Sequence, residues 1–362
     1  MKVLLLADVN SPHTQKWARG LIHSGVQVSI YSLQKASENY FSDLKNLPVL
    51  LHTENMSNEK SRPFAKLSYL RALPHINKWI REWKPDILHA HYATSYGLLG
   101  ALAGFQPFCI SVWGDDVFYF PYKSVLLAKG LKLILSRAKV VFSTSKVMKL
   151  QTKKFYKGPI QVIPFGISME KFSGLRTNRD GVMRFTVVKS LDERYNVHLV
   201  VQAFVAMADE NNLMEAELHI AGDGHLREKL NNLAGKWKDV KIFFHGNIPN
   251  LQVPEFLVSK DVLFNISDFE SFGVSVIEAS ASGLAVVTSD RGGLIEVVKD
   301  QETGIVLTLL TEQTVREVMS RFLKNPHLAE IMGKAGRDFV RENFDFNHNV
   351  RQQIAAYKSM LN

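Results

Sequence analysis

Short runs rich in Val, Ile and Phe alternate along the whole chain with amphipathic stretches of helical length. Continuous apolar runs of this kind are typical of strands that are covered on both faces of a parallel sheet. In the first half the predicted strands are VLLLAD, VQVSIYS, PDILHAH, FCISVW, KVVFSTS and IQVIPFG. In the second half they are MRFTVVKS, AELHIAG, VKIFFHG, DVLFNIS, LAVVTS and TGIVLT. The pattern predicts an α/β protein with two doubly wound parallel sheets.

The length of 362 residues exceeds what one hydrophobic core usually serves, so we expect two domains. A polar segment, SMEKFSGLRTNRD at residues 168–180, lies between the two series of strands and is the predicted linker. The predicted domains are 1–170 and 171–345, followed by a helix at 346–362 that packs back on the first domain. Ligands of open α/β sheets bind beyond the carboxyl ends of strands, so we expect a central cleft lined by residues that directly follow strands.

The composition, 46% apolar and 22% charged, is typical of a globular protein. The single cysteine, Cys109, lies in the apolar run FCISV and is predicted to be buried. There is no disulfide or zinc framework, which favours the cytoplasm. The uncharged stretch 93–113 is long enough for a membrane span, but three glycines and a proline interrupt it. A helix, a turn and a buried strand are the expected structure there.

The net charge of +9 is concentrated in one part of the chain, because ten Lys or Arg and no acidic residue lie between Asp116 and Glu170. Such a tract indicates an anionic partner. Within it, SVLLAKGLKLILSRA alternates Leu and Ile with Lys129, Lys132 and Arg137 at helical spacing. This pattern fits an interfacial helix and equally a core helix with a solvated basic face. We predict that residues 123–157 dock on an anionic membrane surface, and we expect no nucleic acid partner because no nucleic-acid-binding module is recognisable.

The strongest motif is DFESFGVSVIEASASGLAVVTSDRGGLIEVV, which predicts a loop, a helix, a strand, a Gly-Gly turn and a second helix. Glu270 falls at the end of the preceding strand. Ser271, Phe272, Gly273 and Val274 are predicted to open the helix, whose unpaired amides make a site for an anion such as a diphosphate. Glu278 lies on a stretch of small apolar residues and is expected to be buried, with ribose hydroxyls as suitable donors to its carboxylate.

This segment resembles the signature of the family 4 retaining glycosyltransferases of the GT-B fold, in which a Glu, seven residues and a second Glu enclose FG. Glu270 and Glu278 match at that spacing, with Gly283 and the Gly292-Gly293 turn in register. The resemblance implies two Rossmann-like domains that face a central cleft. It also implies that Glu270 holds the donor sugar near its reacting carbon and that Glu278 binds the ribose.

The segment FTVVKSLDERYN resembles the cationic loop of the same family, which carries an Arg after one glycine and a Lys before another, both on the diphosphate. This chain has Lys189 and Arg194, with the order of the charges swapped and both glycines replaced. Gly222, in LHIAGDGHL, corresponds to a regular turn of the family's donor domain. The third glycine of a dinucleotide fingerprint is missing there, so NAD is disfavoured.

The N-terminal half is predicted to supply the acceptor side. His13, in NSPHTQKWA, resembles a subgroup that carries Ser-Pro-His in the loop after the first strand. We expect His89 and His91 to point to opposite faces of a strand, unable to share a metal, with His91 in the cleft. In ISVWGDDVF, Trp113 stands where the family has a His that contacts the donor sugar, whereas Asp116 matches the family's Asp.

No Asp-x-Asp is present, so Lys189, Arg194 and the helix start at Gly273 are expected to offset the charge of the leaving diphosphate without a metal or other cofactor. The resemblance implies retention of configuration and transfer of a hexose-type sugar from a nucleotide diphosphate sugar, UDP-linked in most of the family. The expected acceptor is a glycan or a lipid-linked glycan of bacterial surface polysaccharide or glycolipid biosynthesis. The expected location is the cytoplasm or the inner face of the cell membrane. Two alternatives stay open: a nucleotide-sugar 2-epimerase of the same architecture, and a non-catalytic nucleotide-sugar-binding protein.

Overall fold

The computed structural model of the chain describes residues 1–37, 49–54, 65–172, 180–209, 216–235 and 241–362. Two compact units make up the chain: unit 1 consists of Met1–Phe165 and Phe346–Asn362, and unit 2 of Gly166–Asp345. The boundary precedes the segment predicted as a linker. Residues 168–172 of that segment belong to unit 2, where Phe172 is buried, and residues 173–179 lie outside the described part of the chain.

Unit 1 is built on a seven-stranded parallel sheet with the order β3-β2-β1-β4-β5-β6-β7. Its strands are β1 Lys2–Leu6, β2 Gln27–Ser32, β3 Val49–Thr53, β4 Ile87–His91, β5 Phe108–Val112, β6 Val140–Ser143 and β7 Ile160–Val162. Its helices are α1 Pro12–His23, α2 Leu73–Trp83, α3 Tyr96–Ala103, α4 Asp115–Phe118, α5 Val125–Ser136 and α6 Lys146–Thr152, with the closing helix α13 at Phe346–Leu361. The edge strand β3 was not predicted.

Helices cover both faces of this sheet, so successive strand residues enter different cores. Leu4 and Leu6 belong to one core and Val3 and Leu5 to the other, and all four are fully buried. The second core includes α13, which packs on α1 through an edge-to-face contact between Trp17 and Phe346, with ring centroids 5.3 Å apart. The last residues of the chain therefore complete unit 1.

Unit 2 carries a six-stranded parallel sheet with the order β10-β9-β8-β11-β12-β13. Its strands are β8 Met183–Val188, β9 Ala216–Ala221, β10 Ile242–Gly246, β11 Val262–Asn265, β12 Ala285–Ser289 and β13 Gly304–Leu307. Its helices are α7 Val197–Asp209, α8 Arg227–Ala234, α9 Val253–Val258, α10 Val274–Ala281, α11 Glu312–Lys324 and α12 Pro326–Asn343. All six of its strands were predicted, and the α/β class with two parallel sheets is confirmed.

The uncharged stretch 93–113 forms α3, a turn and the buried strand β5, as predicted, and the thiol of Cys109 is buried. Among the described residues, none of the helices combines the length and the apolar character that crossing a bilayer requires.

Candidate functional site

The carboxyl ends of the neighbouring strands β8 and β11 bring Lys189 and Glu270 together in unit 2. Lys189 directly follows β8, and Glu270 lies in the loop after β11. The Lys189 Nζ donates to Glu270 Oε2 in an ion pair whose side chains are only 14% and 19% exposed. Charges removed from water to this extent need a partner, and each supplies it for the other. The sequence identified both residues but not their pairing.

Tyr195 is the centre of the cationic loop and was missed by the sequence analysis. The Lys189 Nζ and the Arg194 guanidinium carbon each lie 4.8 Å from the centroid of its ring, within the range of cation–π attraction. Arg194 is exposed and lies in a 3-10 turn, Glu193–Tyr195. Burial raises the pKa of Tyr195, and the charge of Arg194 opposes that rise. The structure therefore gathers Lys189, Arg194 and Glu270 around one aromatic ring.

Asn196 explains how this loop forms without glycine. Its φ of 53° is left-handed, a conformation that asparagine tolerates better than most residues other than glycine. Its side-chain amide donates to the Ile266 carbonyl at 3.1 Å and to the Asp268 carboxylate at 2.7 Å. The loop after β8 is therefore tied to the loop after β11 by a side chain that glycine lacks.

Two glycine turns set the backbone beside the ion pair. Gly222 has a φ of 142°, and a Cβ there would lie 1.8 Å from the carbonyl oxygen of Lys189. At Gly292 a Cβ would lie 2.1 Å from the carbonyl oxygen of Glu270, and the next amide, of Gly293, donates to that oxygen at 2.7 Å. Any side chain at these positions would push Lys189 or Glu270 away, so both glycines have a positioning role.

Helix α10 begins later than expected. Gly273 is its N-cap, with a φ of 101°, and Val274 is its first residue, so Ser271 and Phe272 precede the helix. Phe272 is buried against Phe344, with ring centroids 5.6 Å apart. Glu278, expected to be buried, is partly exposed, as is Val274 one turn earlier, so this face of α10 is not fully covered. Its assignment to a ribose stays a prediction.

In unit 1 the predicted residues His13, His91 and Trp113 form an aromatic cluster. The rings of His91 and Trp113 have centroids 4.8 Å apart, and those of His13 and Trp113 are 5.8 Å apart. His13 also stacks on Phe165 at 3.9 Å. Burial, with a smaller contribution from Lys16, lowers the pKa of His13 to about 4, so its ring is uncharged at neutral pH.

The expectation that His89 and His91 point to opposite faces of β4 is wrong. Residues two apart on a strand share a face, and the ring centroids are 4.8 Å apart. The His89 ring bonds the Tyr357 hydroxyl at 2.6 Å and the Ser111 hydroxyl at 2.8 Å, whereas His91 Nδ1 lies 3.3 Å from the Thr14 hydroxyl. His89 is thereby a contact between β4 and α13.

Asp116 is fully buried and bonds backbone amides. Its carboxylate accepts from Ala93 at 2.9 Å, Gly114 at 2.9 Å and Trp113 at 3.1 Å. Burial raises its pKa to about 6, an effect that these amide donors reduce. Because Ala93 follows β4 and Trp113 follows β5, the carboxylate fixes the two loops to each other.

A cavity of about 280 Å³ opens beside these loops in unit 1. His91 and Trp113 line it together with residues that the sequence analysis did not single out. These are three tyrosines, Tyr69, Tyr92 and Tyr96, and polar residues that include Asp8 and Gln34. Among the predicted residues of this unit, His91 and Trp113 line the cavity, and Asp116 fixes the loops after β4 and β5 that carry lining residues.

Two groups of three ligand-type side chains occur among the described residues. His52, Glu54 and His75 lie in unit 1, and Asp192, Glu193 and His225 lie in unit 2. In the first group Glu54 is already bonded to His75 at 2.7 Å and to the Tyr31 hydroxyl at 2.7 Å. In the second group Glu193 and His225 are exposed and paired at 2.7 Å, and Asp192 and Glu193 belong to the cationic loop.

Family profiles match most of the chain. The family described as "Glycosyl transferase 4-like" matches residues 2–145, and "Glycosyl transferases group 1" matches residues 176–339. The chain is 22% identical to TuaC of Bacillus subtilis (strain 168), a glycosyltransferase named for teichuronic acid biosynthesis, over 99% of both chains. It is 24% identical to the UDP-Gal:alpha-D-GlcNAc-diphosphoundecaprenol alpha-1,3-galactosyltransferase of Escherichia coli, over 83% of this chain and 82% of that enzyme.

Solved structures match the whole fold. A sucrose-phosphate synthase from Thermosynechococcus elongatus aligns with a TM-score of 0.80 at 18% identity, over 99% of this chain and 98% of that one. HepE of Anabaena, solved with UDP and glucose, aligns with a TM-score of 0.77 at 17% identity over 99% of both chains. These structures show the GT-B fold, and the family profiles and the relatives show that the protein is a glycosyltransferase. It belongs to the group 1 glycosyltransferases, family 4, which act on nucleotide sugars, and the predicted family is confirmed.

The buried histidines of β4 predict that unit 1 loses stability in mild acid. Burial lowers the pKa of His91 to about 3 and that of His89 well below its ordinary value near 6.5. The unfolded chain takes up protons below pH 6.5 and the folded one does not, so stability is complete above pH 6.5 and falls as the pH drops. Together the two rings should lower the free energy of unfolding by on the order of 2 kcal/mol when the pH falls from 7 to 5.5.

Urea titrations at the two pH values, followed by tryptophan fluorescence, test this expectation, because unit 1 contains four of the five tryptophans. His91→Asn should reduce the loss, whereas His327→Ala, which removes an exposed ring, should not. A stability that is unchanged or higher at pH 5.5 would contradict the assignment of neutral buried rings.

Proposed function

We propose that the protein is a retaining, metal-independent hexosyltransferase that moves a sugar from a UDP-sugar to a glycan or lipid-linked acceptor in bacterial surface polysaccharide or glycolipid biosynthesis. The observation that carries the proposal is the Lys189–Glu270 ion pair at the carboxyl ends of β8 and β11. It sets a cation suited to a diphosphate beside a carboxylate suited to sugar hydroxyls. The relatives support the donor class, because HepE was solved with UDP and glucose and the Escherichia coli enzyme is named for UDP-Gal.

In the proposed mechanism, Lys189, Arg194 and the first amides of α10 stabilise the charge that builds on the departing diphosphate. Glu270 orients the transferring sugar, and the acceptor hydroxyl attacks from the face that the diphosphate leaves, which retains the configuration. A phosphate oxygen of the leaving group takes the acceptor's proton. Anomeric NMR of the product tests retention. Incubation with donor alone separates the enzyme from a 2-epimerase, which would make a new nucleotide sugar.

The two glutamates should fail differently when neutralised. Glu270→Gln removes a contact to the reacting sugar, so kcat should fall by roughly a hundredfold. UDP affinity should be unchanged or higher, because Lys189 is released from its ion pair. Glu278→Gln should mainly raise KM for the donor and lower the affinity for UDP by about ten- to a hundredfold. The reason is that a ribose contact acts in the ground state and the transition state alike.

Calorimetry of UDP and initial-rate kinetics on both variants check this separation. Glu255→Ala, which removes an exposed carboxylate of α9, is the control and should change neither quantity. Loss of UDP binding in Glu270→Gln together with normal binding in Glu278→Gln would refute the assignment of the glutamates to sugar and ribose, while leaving the family intact.

Activity should survive chelation, because Lys189, Arg194 and the helix start supply the positive charge that a divalent ion would otherwise provide. Rates measured in EDTA and in added magnesium or manganese are expected to agree. The alternative is that the group of Asp192, Glu193 and His225 binds a divalent cation that the reaction needs. A rate that falls in EDTA, returns with either metal and no longer responds in His225→Ala would assign a cation to that group.

The basic tract 123–157 supports a proposal that the enzyme binds an anionic membrane. On α5, Leu131, Ile134 and Leu135 face the core. The opposite face combines the exposed Lys129 and Lys132 with Val125, Leu126 and Leu133, which are 74%, 77% and 62% exposed. Cations next to exposed apolar side chains are typical of interfacial helices. We infer that 123–157 docks on the inner face of the cell membrane, where anionic lipids attract cations and a lipid-linked acceptor is presented.

Co-sedimentation with vesicles of phosphatidylcholine and phosphatidylglycerol should show binding that rises with the anionic fraction and falls with salt. The double variant Lys129→Gln with Lys132→Gln should lose about tenfold or more in affinity, at about 1 kcal/mol for each cation. Leu126→Ser should weaken binding, whereas Leu102→Ser, an exposed leucine of α3 outside the tract, should not. Binding that ignores lipid charge and salt would exclude this surface.

A further inference from the structure

The cavity of unit 1 has a lining suited to an uncharged polar ligand. Of the ten residues that line it, five carry aromatic rings, His91 among them, and none is Lys or Arg. The pKa of His91, lowered by burial to about 3, leaves that ring uncharged. The Asp8 carboxylate is therefore the formal charge of the lining at neutral pH. Such a surface attracts hydroxyl donors and repels carboxylates and phosphates.

One lining residue, Tyr92, holds a backbone conformation that its side chain disfavours. It follows β4 directly and has a φ of 81°, in the left-handed region where a bulky residue other than glycine is an outlier. Its amide donates to the Ser111 carbonyl at 2.9 Å, and its own carbonyl accepts from the Gly97 amide at 3.0 Å. The next amide, of Ala93, is held by Asp116. The surroundings impose the conformation, as they do for strained residues at functional sites.

Glycine or asparagine would adopt this conformation at lower cost, which indicates that the tyrosine side chain has a functional role. Tyr92 lines the cavity together with Tyr96 and Trp113. Burial first, and then the charges of Asp116 and Asp115, raise the pKa of Tyr92. The hydroxyl therefore stays protonated and can donate a hydrogen bond to an oxygen of the ligand.

We propose that this cavity binds an uncharged sugar ring of the acceptor and that Tyr92 positions that ring. The inference rests on the proposed transfer function, whose acceptor it assigns to a chemical class. The aromatic side chains cover the apolar C–H face of a pyranose, and Asp8 and Gln34 offer acceptors and donors to its hydroxyls. The volume of about 280 Å³ is just below the roughly 300–1,000 Å³ usual for small-molecule sites, so it suits one ring.

Saturation-transfer NMR on the full chain tests the class of ligand. The probes are the methyl glycosides of glucose, galactose, mannose and N-acetylglucosamine, compared with glucuronate and glucose 6-phosphate at equal concentration. At least one neutral glycoside should receive saturation, with the anionic sugars weaker by about tenfold, the value of one unfavourable charge contact. Saturation of no neutral glycoside, or a stronger signal from the anionic sugars, would overturn the proposal.

Variants of Tyr92 test its role. Tyr92→Asn keeps the left-handed backbone and should weaken binding of the neutral glycoside by about tenfold. Tyr92→Phe keeps the ring and should weaken that binding by less. Lys84→Asn is the matched control, because Lys84 is also left-handed, with a φ of 52°, but lies at the exposed end of α2. UDP affinity and slow hydrolysis of the donor in the absence of acceptor should match wild type in Lys84→Asn.

These readouts separate two kinds of failure. A wild-type protein that binds neutral glycosides but neither hydrolyses nor transfers any nucleotide sugar would refute the proposed function and leave the sugar site standing. Normal donor hydrolysis with glycoside binding that Tyr92→Asn does not weaken would refute the role of Tyr92 alone. Equal weakening in Lys84→Asn would show that backbone relief, not the phenol, is responsible.

Discussion

Close backbone packing at two glycine turns is the constraint on which the unit 2 site depends. The Gly222 turn lies against the carbonyl of Lys189, and the Gly292 turn lies against the carbonyl of Glu270, at separations that no side chain would permit. Each loop that follows a strand is therefore held by a turn that follows the neighbouring strand. Because β8 and β11 are adjacent, the two fixed loops bring a cation and a carboxylate into contact. Gly222 and Gly292 thus act on the backbone, because they fix the positions from which the side chains of Lys189 and Glu270 extend.

In unit 1 the loops that follow neighbouring strands are fixed by a side chain rather than by glycine turns. The buried Asp116 carboxylate bonds amides in the loops after β4 and β5, and so fixes the segments that carry Tyr92 and Trp113, which both line one cavity. This arrangement explains how Trp113 can stand where the family has a histidine while Asp116 is kept. Asp116 holds backbone amides, which every residue except proline possesses, whereas the side chain at 113 lines the cavity and packs in the aromatic cluster. The raised pKa of Asp116 reflects the burial that this anchoring requires.

Most of the fold was predictable because buried strands leave long apolar runs, and the exceptions have physical causes. Strand β3 was missed because an edge strand is covered less: Leu50 is 49% exposed, and the segment ends in a histidine and a threonine. The Lys189–Glu270 pair joins residues that are far apart in sequence, and their contact follows from strand order, which hydrophobic patterning does not reveal. Tyr92 left no signal either, since a left-handed tyrosine is defined by its neighbours. The prediction for His89 and His91 was wrong because side chains two residues apart on a strand point to the same face.

The ion pair also bears on how a binding site for a diphosphate can fold before its ligand arrives. A largely buried lysine without an anion would be costly, and neighbouring cations would repel each other. Here Glu270 neutralises Lys189, and the ring of Tyr195 lies against both Lys189 and Arg194, so the cations are held close together without a bound phosphate. Under the proposed function, a diphosphate would compete with Glu270 for Lys189. The carboxylate would then be released toward the sugar hydroxyls at the moment the donor binds. The charge balance that stabilises the resting loop would in this way be exchanged, rather than lost, when the donor occupies the site.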